Sequence, residues 1–279
     1  VAIITVNGAN GAPTLTIPNI AESAAETDSV LFDIIADAHA SDPDHGDTLS
    51  LSLGTATLVG DTSTAIDAAH IGLYSVVGNQ LQFEPGSDFI ALSATDSAQI
   101  KVAYTITDNH GASVSDFAII TVNGANEAPV AGDDTANFDA NVTANINVLA
   151  NDTDPDAGQT ATLVIDSNSL GYVDSSSVFH SGVSANGATL SIVIVDGIAE
   201  VQYTPNADML SLPFGSSLTD AFQYSPEDSS NVDSITPALV TVTLAGVNPI
   251  ITVHTTSANL FVAGDGPVLL ENPIFGTSL

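Results

Sequence analysis

The chain has no cysteine, tryptophan or arginine, and its single basic residue in 279 is Lys101. Without cysteine there are no disulfides, thiolate ligands or thiol nucleophiles, so stability must come from apolar cores and from whatever neutralises the charge. One base against 33 acids leaves a formal net charge of -32. Such a chain repels nucleic acid and anionic membrane surfaces and attracts cations, so neither nucleic acid nor membrane insertion is expected. No apolar run approaches the roughly 20 residues of a membrane span. Metalloprotease, nucleophile-elbow and P-loop motifs are absent, and the six histidines are scattered without ligand spacing. Acids abound, but catalytic carboxylates need opposed environments, whereas clustered Asp residues point to shared cation ligation. The chain is not expected to be an enzyme.

Of the 33 acids, 26 are Asp. Asp belongs in turns and ligand loops, whereas Glu serves equally well on helices, so the acid is loop-borne. A salt-adapted surface accounts equally for the acids outside the motifs below.

The nonapeptide AIITVNGAN stands at Ala2 to Asn10 and again at Ala118 to Asn126, and VTVTLAGVNP at 240–249 is a looser third copy. A shift of 116 residues is too long for a solenoid, whose period is about 20 to 50, and matches a whole immunoglobulin-sized domain. The expected division is a terminal strand of a preceding module over 1–10, β-sandwiches over 11–124 and 125–246, and a partial module or extension over 247–279. Each linker ends in Pro, a stiff entry to the next module.

Alternating β-branched segments recur throughout: AIITV, LFDII, TLSLSL, QIKVAYTIT, NINVL, ATLSIVIV, LVTVTL. Short strands between Gly, Asn, Asp and Ser clusters predict an all-β fold of tandem sandwiches. The segment DTSTAIDAAHIG, 61–72, is expected to form one short helical turn.

The acidic loops recur with the modules. SDPDHGDTL carries Asp42, Asp44 and Asp47 around Gly46, and NDTDPDAGQT repeats it. Aligned on proline, Asp42 matches Asp154, Asp44 matches Asp156 and Gly46 matches Gly158. Closely spaced Asp residues beside a Gly turn provide the six to eight oxygens that Ca2+ requires, while Mg2+ prefers to keep water. Asp108 and Asp228 each end a late strand. With Asn123, Asn126 and Glu127 of the linker, and with Glu22 or Asp133 and Asp134 early in each module, they are expected to build a site between consecutive domains.

These segments resemble a known family. NGANEAPVAGDD, NVLANDTDPDAG, VQYTPNADM and ALVTVTLAGVNP are similar to the cadherin-like repeats of large bacterial RTX adhesins. EPGSDFIAL, IKVAYTITDNHGASVS and AIITVNGAN resemble their VCBS-type relatives. The resemblance covers nearly all of residues 2–249. It implies immunoglobulin- or cadherin-like modules, secreted to the bacterial cell surface and held stiff by Ca2+, whose partners are neighbouring modules of the same chain. By position it implies Ca2+ ligands at Asp42, Asp44 and Asp47, at Asp152, Asp154 and Asp156, at Asp108 and Asp228, and at Asn126 and Glu127. Gln159 stands where the loop's third Asp is expected, Gly11 lacks the linker acid, and Ser225-Pro226-Glu227 disturbs the strand before Asp228. Two other readings stay open: a carbohydrate-binding module, short of stacking aromatics, and a filament subunit joining other copies through its terminal strands.

Overall fold

The computed structural model describes residues 2–5 and 8–247, and within them two β-sandwiches follow one another. The first contains β1 (Ile20–Ala25), β2 (Val30–Phe32), β3 (Leu49–Asp61), β4 (Leu73–Val77), β5 (Gln80–Glu84), β6 (Ser97–Asp108) and β7 (Ser113–Asn123). One sheet has the order β1-β7-β6-β3 and the other β2-β5-β4. The second sandwich contains β8 (Asp134–Asp139), β9 (Ala144–Ile146), β10 (Val164–Ile165), β11 (Gly171–Val173), β12 (Phe179–Ser181), β13 (Thr189–Val195), β14 (Ile198–Thr204), β15 (Ser217–Tyr224), β16 (Pro226–Glu227) and β17 (Ala238–Ala245). Its sheets run β12-β11-β15-β17-β8 and β13-β14-β9, with β10-β16 as a short third pair.

The repeated sequence AIITV explains the centre of the first sheet. In β7 its second copy puts Ala118, Ile120 and Val122 into the core, all fully buried, and turns Ile119 and Thr121 outward. That strand pairs in parallel with β1 and antiparallel with β6. Ile100, Val102, Tyr104 and Ile106 of β6 face the same core, and each such side chain contributes about 1.5–3 kcal/mol by leaving water. The second sandwich has its own core around Tyr203, Phe222, Tyr224 and Val240. Residues 2–5 pair with no strand among the described residues, and Ile3 and Ile4 are 90% and 85% exposed. Beyond Val247, the segment read as a partial module lies outside the described residues.

Three local expectations are corrected. LFDII is a strand only to Phe32, because the Asp33 carboxylate accepts the Ala36 N–H at 3.2 Å and caps the short helix α1 (Ile34–Asp37). NINVL likewise stops at Ile146 and enters a 3-10 turn, Val148–Asn151. Residues 61–72 form no helix, since Asp61 takes the N–H groups of Ser63 and Ile66 and Asp67 takes that of Ala69, closing turns instead.

Linker geometry depends on glycine. A Cβ on Gly124 would stand 2.4 Å from the carbonyl oxygens of both Leu92 and Ser93, and one on Gly246 would stand 2.0 Å from that of Pro213. The chain leaves each sandwich pressed against the turn before its penultimate long strand, so the recurring Gly is a packing requirement.

Candidate metal centre

In the first module the loop after α1 and the end of β6 meet at the linker. Asp42, Asp44 and Asp47 bring carboxylate oxygens within 4.8 Å of one another, and Asp47, Asp108 and His110 form an overlapping group of the same span. The loop is wound by its own acids: Asp44 N–H donates to Asp42 Oδ1 at 2.8 Å, and Asp47 N–H to the Asp44 carbonyl at 3.3 Å. The preceding linker docks on it, with Gly11 N–H on Asp44 Oδ2 at 2.6 Å and Asn10 Nδ2 on Asp108 Oδ2 at 2.9 Å. Burial pushes the Asp108 pKa up, but hydrogen bonds from Asn10 and the His110, Ala112 and Gly111 backbone outweigh it and hold this carboxyl below its usual range. His110 Nδ1 lies 2.9 Å from Asp47 Oδ2, and that bond raises the imidazole pKa.

The second module repeats this pattern bond for bond. Asp156 N–H donates to Asp154 Oδ1 at 2.8 Å, Glu127 N–H to Asp156 Oδ2 at 3.3 Å, and Asn126 Nδ2 to Asp228 Oδ2 at 2.7 Å. Asp228 Oδ1 accepts the N–H groups of Ser230 and Val232, as Asp108 Oδ1 accepts those of His110 and Ala112. The difference lies at Gln159, in the place of Asp47. Its Nε2 donates to Asp156 Oδ2 at 2.8 Å and Asn126 Oδ1 at 3.2 Å, so an amide occupies ground that a carboxylate holds in the first module.

Sequence reasoning missed Glu26. It follows β1 on the first module, is 1% exposed, and its Oε1 accepts the linker N–H of Ala125 at 2.9 Å. Glu26 and Asp156 both lie against Glu127, so carboxylates from the first module, the linker and the second module meet at one boundary. Glu26 Oε2, Glu127 Oε2, Asp154 Oδ2 and Asp156 Oδ1 are buried without a hydrogen-bond partner among the described residues, and Asp42 Oδ2 is in the same condition. Burial, then the neighbouring acids, pushes Glu127 up to about 7 and Asp156 up to about 6, and Glu26 and Asp154 also rise mainly through burial. The chain's one lysine does not supply the missing positive charge: Lys101 sits over the Phe117 ring at 3.8 Å. Buried anionic oxygens without donors are costly unless a cation joins them. Hard carboxylate oxygens suit Ca2+, so the residue types fit that ion, and the first module's Asp42, Asp44 and Asp47 also bring their oxygens within 4.8 Å of one another.

The remaining predicted residues lie elsewhere. Asp152 turns away from the loop: its Oδ1 accepts Gly132 N–H at 2.7 Å and its Oδ2 the Tyr224 hydroxyl at 2.8 Å. Asp134 meets the same hydroxyl at 3.2 Å, and Asp133 accepts the Leu239 N–H. Glu22 is raised to about 6 by burial and by Asp37, and Asn123 reaches the Ala24 carbonyl. Glu26, four residues beyond Glu22, holds the place expected of an early acid.

Two sandwiches joined at an acid-lined linker define tandem β-sandwich modules of the immunoglobulin-like class. The bacterial Ig domain family model matches residues 126–243. Human CDH23 EC21-23 is similar in structure, with 13% identity over 85% of this chain and 70% of that one, at a TM-score of 0.45. Drosophila N-cadherin EC1-4 shows 12% identity over 86% of this chain and 50% of that one, at 0.44. For protocadherin Gamma B7 extracellular cadherin domains 1-4 the values are 14%, 85%, 51% and 0.42, so the chain spans about half the length of that relative. No curated protein matches the sequence. No helix among the described residues is long and apolar enough to cross a membrane.

Proposed function

We propose that this segment is a calcium-stabilised extender of a large, secreted bacterial surface adhesin of the RTX type, without catalytic activity, whose partners are the neighbouring modules of its own chain. The observation that carries this reading is the boundary itself: Glu26 before the linker, Glu127 within it and Asp154 and Asp156 after it present buried, donorless carboxylate oxygens to one another. A cation held there by Glu26, Glu127, Asp154 and Asp156 ties the two sandwiches together. Asp42, Asp44, Asp47 and Asp108 hold one at the first module's own loop. Ca2+ neutralises charge that otherwise drives the modules apart, which suits a spacer that must stay extended.

The test combines melting curves with small-angle scattering of the whole chain, in calcium and after calcium removal, at matched ionic strength. Extracellular sites have Kd values of about 10⁻⁴ to 10⁻³ M, and one site at 100-fold excess adds about 2.7 kcal/mol. Calcium is expected to raise the Tm and narrow the distribution of distances between modules. Identical profiles in both conditions would sink the proposal.

A further inference from the structure

The two modules close their short sheets differently, and a surface cleft lies beside the hairpin tip of the second. In the first, the β4–β5 hairpin turns at Gly78-Asn79. Asn79 Oδ1 accepts Leu51 N–H at 2.7 Å and its Nδ2 donates to the Leu49 carbonyl at 3.0 Å, stapling the hairpin tip to β3. The matching hairpin of the second module, β13–β14, runs seven residue pairs against five and turns at Asp196-Gly197. No side-chain hydrogen bond among the described residues ties its tip to the facing strand. That strand is β10, which pairs with Glu227 beside Asp228 as β3 pairs with Asp108.

The place that Asn79 closes in the first module is, in the second, a half-open surface cleft of about 350 Å³. The apolar side chains of Leu149, Leu163, Val164, Ile194 and Ile198 line it, with polar contributions from Asn147, Thr160 and Thr162 and no charged residue. Ile194, Ile198 and Val164 are 69%, 47% and 46% exposed, so the rim of the cleft is apolar. A concave, mostly apolar wall with a few polar groups is the ordinary composition of a small-molecule site.

We propose that this cavity binds a small, uncharged apolar molecule with an aromatic or alkyl body the size of a fused ring pair. The lining offers an anion nothing to pair with, and a net charge of -32 repels it. The Thr160 hydroxyl is engaged with the Asp154 backbone and that of Thr162 with the Gln159 carbonyl, so the Asn147 amide is the group left for one neutral polar group on the ligand. This site adjoins the proposed cation loop through Thr160, which is bonded to the Asp154 backbone, but the binding of a neutral molecule does not depend on that reading.

The test titrates the full chain with N-phenyl-1-naphthylamine, a neutral fluorescent probe, and with 8-anilino-1-naphthalenesulfonate, which adds a sulfonate to the same rings. Each titration is run with calcium and after its removal. Saturable binding of the neutral probe at one site, at least about tenfold tighter than the sulfonate, is expected. Ile194→Ser, at a solvent-facing position with little bearing on folding, is expected to weaken binding roughly tenfold. Ala161→Phe, at an exposed wall position, is expected to abolish it by filling the space. Absence of saturable binding, equal affinity for the sulfonate, or full binding in both variants at unchanged Tm overturns the proposal.

Discussion

Glu26 lies against Glu127 across the boundary between the two modules, carboxylate to carboxylate, with an unpartnered oxygen on each. Without a cation this contact destabilises the joint, and with one it becomes a ligand pair. Glu26→Gln therefore has opposite effects in the two conditions. After calcium removal the variant should melt above the parent, because a buried charge is gone. In calcium its boundary affinity should fall by on the order of tenfold, because ligand charge sets Ca2+ affinity. Melting and calorimetry on both chains check this. A shift of the same sign in both conditions removes Glu26 from the site.

Gln159 and Asp47 occupy matching places, and exchanging them separates side-chain charge from loop position. Gln159→Asp takes the Nε2 donor away from Asp156 Oδ2 and adds a carboxylate. Calcium affinity at the second loop should rise by on the order of tenfold, while the calcium-free protein loses stability. Asp47→Gln should do the reverse at the first loop and also release the His110 imidazole. Unchanged affinities in both variants would show that these side chains do not face the ion.

Asp152 tests the limits of the ligand set. Its carboxylate serves Gly132 and Tyr224, and its counterpart in the first module is Ala40, so nothing equivalent surrounds Tyr104, whose hydroxyl lacks a partner among the described residues. Asp152→Asn should leave calcium affinity unchanged and shift the Tm equally with and without calcium. A selective loss of calcium stabilisation would restore Asp152 to the ligand set.

What the sequence made legible follows from how local each signal is. The loops were readable because Asp-Pro-Asp and the following Gly fix a turn within six residues, and Gly46 and Gly158 indeed take positive φ values of 97° and 81°. The strands were readable from period-two alternation, as in β6 and β7. Glu26 was not, because it reaches the linker through the parallel pairing of β1 with β7, a contact between residues almost 100 positions apart. The hydrogen bond from Tyr224 to Asp152, which follows the 3-10 turn at Val148–Asn151, is likewise something no Asp spacing reveals. LFDII misled because one capping carboxylate, Asp33, outweighs the β-branched pattern.

Asn79→Gly probes the staple that the second module lacks. Glycine keeps the positive φ of 67° at this turn but loses both hydrogen bonds to β3. Leaving Leu51 N–H without its acceptor costs about 1–3 kcal/mol. Chemical denaturation should show that loss in the first module's transition. An unchanged midpoint would mean the staple adds nothing to closure.

The pH dependence of the calcium-free protein follows from the boundary acids. Glu127 is raised to about 7 and Asp156 to about 6, in each case first by burial. Asp134, away from the boundary, is likewise raised to about 6 by burial. An acid whose folded pKa lies above its unfolded value binds more protons when folded, so its stabilising effect is full below the unfolded pKa, about 4. That effect is lost as pH rises through 6 to 7. The Tm of calcium-stripped protein should thus fall as pH rises from about 4.5 to about 8. General self-repulsion of the acidic chain has the same sign, so Glu127→Gln is the control: its slope should flatten at the upper end of this window, where Glu127 titrates. With calcium bound, Glu127 and Asp156 are held ionised, so calcium affinity should rise with pH over the same range and binding should release protons, measurable from the buffer dependence of the calorimetric heat. A Tm that climbs with pH in the stripped protein, or binding without proton release near pH 6, would show that these carboxylates do not share the buried boundary.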